Sequence, residues 1–122
     1  FRLGDKDIAT HLWRTQALAD GKGLVEVVDS LAKRLGIHCG VHPMSGDPVR
    51  TMVFTDEGEL PFQHYFVRRQ CEPSVSGFRF AGIESARPNT AVMHMLVEKL
   101  PTAIIICPSN PFVSVDPILQ TP

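Results

Sequence analysis

Two adjacent arginines end a stretch of the chain that is rich in aromatic rings. In LPFQHYFVRR, residues 60–69, Arg68 and Arg69 follow two phenylalanines, a histidine and a tyrosine. A packed core can use the rings but not the guanidinium groups, whereas a site for a flat, anionic or phosphorylated ligand can use both. The planar guanidinium fork binds two phosphate oxygens at once. Arg68 and Arg69 are therefore candidate phosphate-binding residues.

A solvated helix end is the alternative for this arginine pair. Consecutive residues of an α-helix point about 100° apart, so at most one of the two side chains can face the apolar side. Cations near the C-terminus of a helix also interact favourably with its dipole, and this needs no ligand. The residues alone leave both interpretations open.

A second charged cluster, Gly4-Asp5-Lys6-Asp7, lies where a helix is predicted to begin. Lys6 could contact an acidic ligand there, and the two carboxylates could bind a metal. Aspartates at a helix start are also ordinary capping and dipole partners, which is the structural alternative.

Ser109 and Asn110 form a third candidate site, between two prolines that would stiffen the loop. They follow the continuous β-branched run in Thr102–Cys107, which is typical of a strand buried on both faces of a parallel sheet. In open α/β sheets, ligands bind beyond the carboxyl ends of the strands. A hydroxyl, an amide and backbone N–H groups there suit a phosphate or a nucleobase edge, although the same residues are common in plain turns.

Several other kinds of site are not indicated. The sequence has neither GxGxxG nor GxxxxGKS, and no GxSxG nucleophile motif. Its five histidines form neither HxH nor HExxH, so a zinc site is not expected. The three cysteines are far apart, and this favours reduced structural thiols over disulfides or a zinc ribbon.

Composition limits the class of protein. The 122 residues correspond to about one domain, and the net charge of -1 gives no global attraction for nucleic acid or an anionic membrane. No apolar run approaches the roughly 20 residues that span a bilayer, and no signal peptide is visible. We therefore expect a cytoplasmic protein. The termini, Phe1 and Pro122, do not resemble natural domain edges, which predicts an internal piece of a longer chain.

Hydrophobic periodicity predicts alternating helices and strands, and hence the α/β class. The predicted helices are 7–19, 24–35, 60–69 (with Pro61 in its first turn) and 89–100; the predicted strands are 37–42, 49–55, 77–83 and 102–107.

Taken together, the motifs resemble one family over essentially the whole chain. FRLGDKDIATH (residues 1–11), PMS with VRT (residues 43–51), FQHYFVRR with CEP (residues 62–73), ARP (residues 86–88) and CPSNPFVSVDPIL (residues 107–119) are similar to motifs of the 2-phospho-L-lactate transferases. The resemblance implies a Rossmann-like, mostly parallel sheet with helices on both faces. It also implies that residues 1–122 are the central part of a single phospholactate-transferase domain.

The activity that the resemblance implies belongs to the synthesis of the deazaflavin coenzyme F-420. A phospholactyl or phosphoenolpyruvyl group would pass from a guanosine diphosphate-linked donor to the ribityl hydroxyl of the deazaflavin precursor, and guanosine monophosphate would leave. Magnesium would be required, with ligands outside these residues. A nucleotide-sugar-binding regulatory protein of the same superfamily and an inactive fragment are the alternatives, and a homodimer is left open as the assembly.

With this family activity in view, each candidate residue can be given an expected binding role. Arg2, Asp5 and Lys6 would bind the acceptor. Arg68, Arg69, Ser109 and Asn110 would bind phosphate or nucleotide. Lys6 stands where the family usually has arginine, which keeps the charge but loses the bidentate fork.

Overall fold

Two helices begin the fold, as the sequence predicts. The computed structural model describes residues 3–122, in which α1 spans Asp5–Ala19 and α2 spans Leu24–Arg34. Asp5 and Asp7 lie in the first turn of α1, where negative charge complements the positive end of the helix dipole. Val27 of α2 is almost fully buried, since it belongs to the apolar stripe that the periodicity predicts.

An antiparallel sheet of three strands follows the helices. β1 (Arg50–Thr55) lies in the centre, between β2 (Gly58–Pro61) and β3 (Val75–Ala81). Val53 of β1 is fully buried, and Phe80 of β3 retains 5% of its exposure. These two side chains form the centre of the sheet's apolar face. The strands predicted over 49–55 and 77–83 are therefore confirmed with small shifts in their ends.

The α/β class is confirmed, but the predicted parallel sheet is not seen in residues 3–122. All the strand pairs described there are antiparallel. The strand expected over Thr102–Cys107 is unpaired, and Ile105 within it is 84% exposed. Residues 37–42, also expected to be a strand, are unpaired as well. A buried parallel strand needs neighbouring strands and a helical layer on each face, and the described residues supply neither to these two segments.

The helix predicted over 60–69 begins two residues late. Leu60 pairs with Val53 and Pro61 with Met52, so Pro61 ends β2 instead of entering the first helical turn. A helical segment then covers residues 62–68, of which His64–Arg68 is π-helical.

The remaining helical segments are short. Thr90–Met93 is α-helical and continues into a π-helical turn, His94–Glu98, which together confirm the helix predicted over 89–100. Near the end of the chain, the π-helical turn Pro111–Val115 leads into the α-helical turn Asp116–Leu119. Within residues 3–122, no helix combines the length and apolar character that a bilayer crossing requires.

Hydrogen bonds tie the loop before β1 to a segment about 40 residues later. The buried Ser45 Oγ donates to the Arg87 carbonyl at 2.7 Å and accepts from the Asp47 N–H at 3.0 Å. The Asn89 N–H donates to the Met44 carbonyl at 2.9 Å. Asp47 Oδ2 accepts from the Arg87 backbone N–H at 2.9 Å and from its Nε at 3.4 Å, and these bonds lower the pKa of Asp47. The set joins the PMS and ARP motifs; we call it the Ser45–Asp47 clamp.

Gly82 should be intolerant of any side chain, because it packs against the same loop. Its φ is +91°, and a Cβ placed there would lie 2.5 Å from the Pro48 carbonyl oxygen. Gly82→Ala should lower the free energy of unfolding by about 2–3 kcal/mol, since left-handed strain and a forced backbone shift each cost about 1 kcal/mol or more.

Gly36→Ala is the matched control in thermal or urea unfolding of the full-length protein. Gly36 has φ +74°, but no atom outside its chain neighbours lies within 4 Å of the position that an alanine Cβ would take. The free energy of unfolding of this variant should therefore fall only by the cost of left-handed backbone strain. Equal losses for the two variants would mean that the Pro48 contact does not constrain the loop.

Candidate ligand-binding site

A cavity lies between α1 and the helical segment 62–68. Its volume is about 300 Å³, and its lining residues are Leu3, His11, Gln63 and Val67. Gln63 and Val67 are four residues apart, which places them on one face of their segment. The first and third motifs of the sequence, far apart in the chain, therefore meet here; we call this the α1 cavity.

Aromatic rings beside the α1 cavity lie at the surface instead of in the core. Phe62 and Phe66 stack with their ring centroids 5.6 Å apart and their planes 13° from parallel. Phe66 is 55% exposed. Phe62 is half-buried, so the exposed Phe66 ring, backed by Phe62, offers a flat apolar surface that suits stacking of a planar ring system.

The two arginines after these rings have different environments. Arg69 is half-buried and binds Glu57 with both terminal nitrogens, one of them 2.6 Å from Oε1. This ion pair raises the pKa of Arg69. Arg68 is exposed and has no carboxylate within 4 Å in the described part of the chain. Arg68 can therefore meet an anion directly, whereas a phosphate at Arg69 would compete with Glu57.

Asp5 and Lys6 are both exposed in the first turn of α1. The Lys6 carbonyl accepts from Thr10 Oγ1 at 2.8 Å, but no carboxylate within residues 3–122 lies within 4 Å of its ammonium group. A cation at the positive end of a helix dipole does not stabilise the helix. Lys6 therefore has no evident structural role. Arg2, the third predicted acceptor contact, lies outside the described residues.

Ser109 and Asn110 lie away from the α1 cavity. Asn110 Oδ1 caps the next helical turn by accepting from the N–H groups of Phe112, at 3.0 Å, and Val113, at 3.2 Å. Phe112 then stacks on Phe78 of β3 with 5.9 Å between centroids. Segment 62–68 instead follows β2, on the opposite edge of the sheet. The described structure thus gives Asn110 a capping role and does not join this loop to Arg68.

Comparison with known proteins decides the family. The family model described as 2-phospho-L-lactate transferase CofD matches residues 1–122. The chain belongs to the 2-phospho-L-lactate transferase CofD family.

Curated relatives agree with this assignment. The chain is 41% identical over 120 residues to a 2-phospho-L-lactate transferase of Methanopyrus kandleri, covering 98% of this chain and 38% of the relative. It is 36% identical over 121 residues to that of Methanosarcina mazei, covering 99% and 39%. A phosphoenolpyruvate transferase of Mycobacterium ulcerans is 35% identical over 128 residues, covering 100% and 38%. The chain therefore spans about two fifths of the length of these relatives.

Two lining residues of the α1 cavity were missed by the sequence interpretation of this CofD-family chain. His11 and Gln63 lie inside the motifs that carry the resemblance, yet neither was assigned a role. His11 belongs to α1, whereas Leu3 precedes the first helical turn, so helical spacing does not relate the two. That both face segment 62–68 depends on tertiary packing.

The described part of the CofD-family chain does not by itself form a metal centre. Within residues 3–122, no three His, Cys, Asp or Glu side chains lie close enough together to hold a metal ion. Asp5 and Asp7 are two exposed carboxylates in one helical turn, and magnesium is usually held by one or two carboxylates together with waters and substrate phosphates. A magnesium ion at these residues would therefore need further ligands from the substrate, from water or from outside residues 3–122.

Proposed function

We propose that the whole protein is a transferase of deazaflavin coenzyme F-420 synthesis. It moves a phospholactyl or phosphoenolpyruvyl group from a guanosine diphosphate-linked donor to a hydroxyl of the deazaflavin precursor. The observation that carries this proposal is the family match over residues 1–122. Relatives named for each of the two acids support both donor classes.

The reaction is a displacement at phosphorus. The acceptor hydroxyl oxygen forms a bond to the phosphorus that carries the three-carbon acid, and its proton is lost. The bond from that phosphorus to the bridging oxygen of the diphosphate breaks, so guanosine monophosphate leaves with the bridging oxygen. Such transfers depend mainly on positioning and on stabilising charge on the phosphoryl oxygens.

The α1 cavity supports binding of the acceptor. Phe62 and Phe66 offer a flat apolar surface for a planar ring, beside a cavity lined by Leu3 and Val67. Arg68 follows Val67 directly, and Lys6 lies five residues before His11 on α1, about one and a half helical turns. In this proposal the rings hold the deazaflavin, while Lys6 and Arg68 meet the phosphate that joins it.

The nucleotide end of the donor is proposed to involve Ser109 and Asn110. Asn110 Oδ1 is engaged in its cap, so its amide NH₂ and the Ser109 hydroxyl are the groups that remain for a ligand. Magnesium, when bound, would neutralise diphosphate oxygens, and its ligands are proposed to lie outside residues 3–122.

The test is turnover by the full-length protein. It would be incubated with magnesium, the deazaflavin precursor and a guanosine diphosphate-linked donor carrying either lactate or enolpyruvate, and the products separated by chromatography. We expect a phosphodiester-linked deazaflavin and one equivalent of guanosine monophosphate with at least one donor. Binding of guanosine nucleotide without turnover of either donor would contradict the proposal and favour a binding or regulatory protein.

A further inference from the structure

A second cavity, distinct from the α1 cavity, has a basic lining that the proposed function does not use. Its volume is about 530 Å³, and it lies between the C-terminal half of α1, the start of α2 and the loop before β1. Arg14, Lys22 and Arg50 line it, each from a different part of the chain. This volume is within the usual range for small-molecule sites. We call it the basic cavity.

The positive charge of the basic cavity is largely uncompensated. Asp47 is the one carboxylate among its lining residues, and Arg87 already donates two hydrogen bonds to it. Arg14 and Arg50 have no carboxylate within 4 Å in residues 3–122, and Lys22 has only an exposed pairing of 3.7 Å with Glu26, a type that contributes little. Since the whole chain has a net charge of -1, this is a local concentration of cations. A concave surface lined by one sign of charge attracts the opposite ion.

One wall of the basic cavity is held in place before any ligand binds. Met44, Ser45 and Asp47 line it, and all three are hydrogen-bonded to residues 87–89 through the Ser45–Asp47 clamp. Ser45 is buried. A wall that is already ordered reduces the entropy lost on binding.

A buried donor next to this wall has no acceptor. Asn89 is only 5% exposed, and its side-chain Nδ2 has no hydrogen-bond partner in the described part of the chain. Asn89 lines an adjoining cavity of about 240 Å³, which shares Gly46 and Asp47 with the basic cavity. Arg14, Arg50 and Asn89 therefore offer unpaired donors in this region, while the Asp47 carboxylate accepts from Arg87 through Oδ2. A complementary ligand must bring acceptor oxygens.

We propose that the basic cavity binds a small organic phosphate, with Arg14 and Arg50 as its guanidinium donors. Phosphate suits them because a guanidinium fork can give two hydrogen bonds to its oxygens. Leu18, Leu24 and Met44 also line the cavity and provide apolar contact for the carbon part of the ligand. This proposal does not depend on the transferase function, because it uses none of the residues assigned to that function.

Calorimetry of the full-length protein with glycerol 3-phosphate tests the site, with glycerol as the uncharged comparison. We expect glycerol 3-phosphate to bind, glycerol not to bind, and affinity to fall as salt is raised. Arg50→Gln and Arg14→Gln should each weaken binding about 10- to 100-fold, the range for loss of a charge-assisted hydrogen bond. Arg50→Lys, which keeps the charge but not the fork, should fall between wild type and Arg50→Gln.

Lys99→Gln is the control, because Lys99 is an exposed cation that does not line the basic cavity. It should bind glycerol 3-phosphate as wild type does. Arg14 and Arg50 lie on separate elements, so a folding defect in one variant, seen as a lowered melting temperature, leaves the other as the test.

Three results would overturn the proposal: no binding of glycerol 3-phosphate at millimolar concentration, wild-type affinity in both glutamine variants, or loss of binding in Arg68→Gln but not in Arg50→Gln. The last result would place the phosphate at the α1 cavity. If the transferase assay fails but glycerol 3-phosphate still binds and this binding depends on Arg50, the transferase function is rejected and the phosphate site is retained.

Discussion

Phe80→Ala should lower the free energy of unfolding by about 3–5 kcal/mol, the usual cost of removing a buried aromatic ring. Phe80 lies on β3 opposite Thr51 of β1, and only 5% of it is exposed. Its removal would leave a cavity beside Val53, the fully buried residue of the central strand. Few other side chains in residues 3–122 are as completely buried, so little neighbouring packing is available to fill the gap.

Phe66→Ala is the matched control, because it deletes the same ring from a position that is 55% exposed. It should cost about 0.5–1.5 kcal/mol, mainly from its lost stacking with Phe62. Urea unfolding of both full-length variants, followed by circular dichroism, gives the comparison. A loss for Phe80→Ala no larger than that for Phe66→Ala would show that β3 is not part of the core.

Lys6→Ala should lower kcat/KM of the proposed transfer about 100- to 1,000-fold, the range for loss of one well-placed electrostatic group. The same change should leave stability unchanged or slightly higher, because it removes a cation from the positive end of α1. Loss of activity without loss of stability is the result that separates a ligand contact from a structural residue. The measurements are steady-state kinetics and urea unfolding on the full-length protein.

Lys33→Ala provides the comparison for Lys6. Lys33 is also an exposed helical lysine, but it pairs with Asp29 at 2.7 Å in the last turn of α2. Its removal should cost about 0.2–0.5 kcal/mol in stability and leave the kinetics unchanged. If Lys6→Ala retains wild-type kcat/KM and acceptor affinity, Lys6 does not belong to the site.

The local elements were determined by the sequence itself. α1, α2 and β1 depend on patterns within a few residues: apolar spacing at three and four for the helices, and a β-branched, apolar run for the strand. Gly36 and Gly21, both in left-handed conformations, end the two helices where the glycines predict it. Family membership was also determined at this level, because the motifs are contiguous and keep their order.

The environment of each candidate side chain was decided by tertiary structure. Arg68 and Arg69 are neighbours of one residue type, and only the β1–β2 turn, by presenting Glu57, distinguishes the paired arginine from the exposed one. In the same way, Thr102–Cys107 has the composition of a buried strand, but pairing needs partners that the described residues do not provide. The composition of a segment determines which structures and contacts it can form. Residues distant in sequence determine which of these it forms in the folded protein.

The basic cavity is likewise a product of tertiary structure and not of a sequence motif. Arg14, Lys22 and Arg50 are separated by up to 36 positions in the sequence and share no motif, so nothing local relates them. They line one cavity because the loop before β1, which the Ser45–Asp47 clamp ties to residues 87–89, lies beside the C-terminal half of α1 and the start of α2. Electrostatic attraction between a surface and its ligand depends on distance in space, and only the folded chain determines that distance.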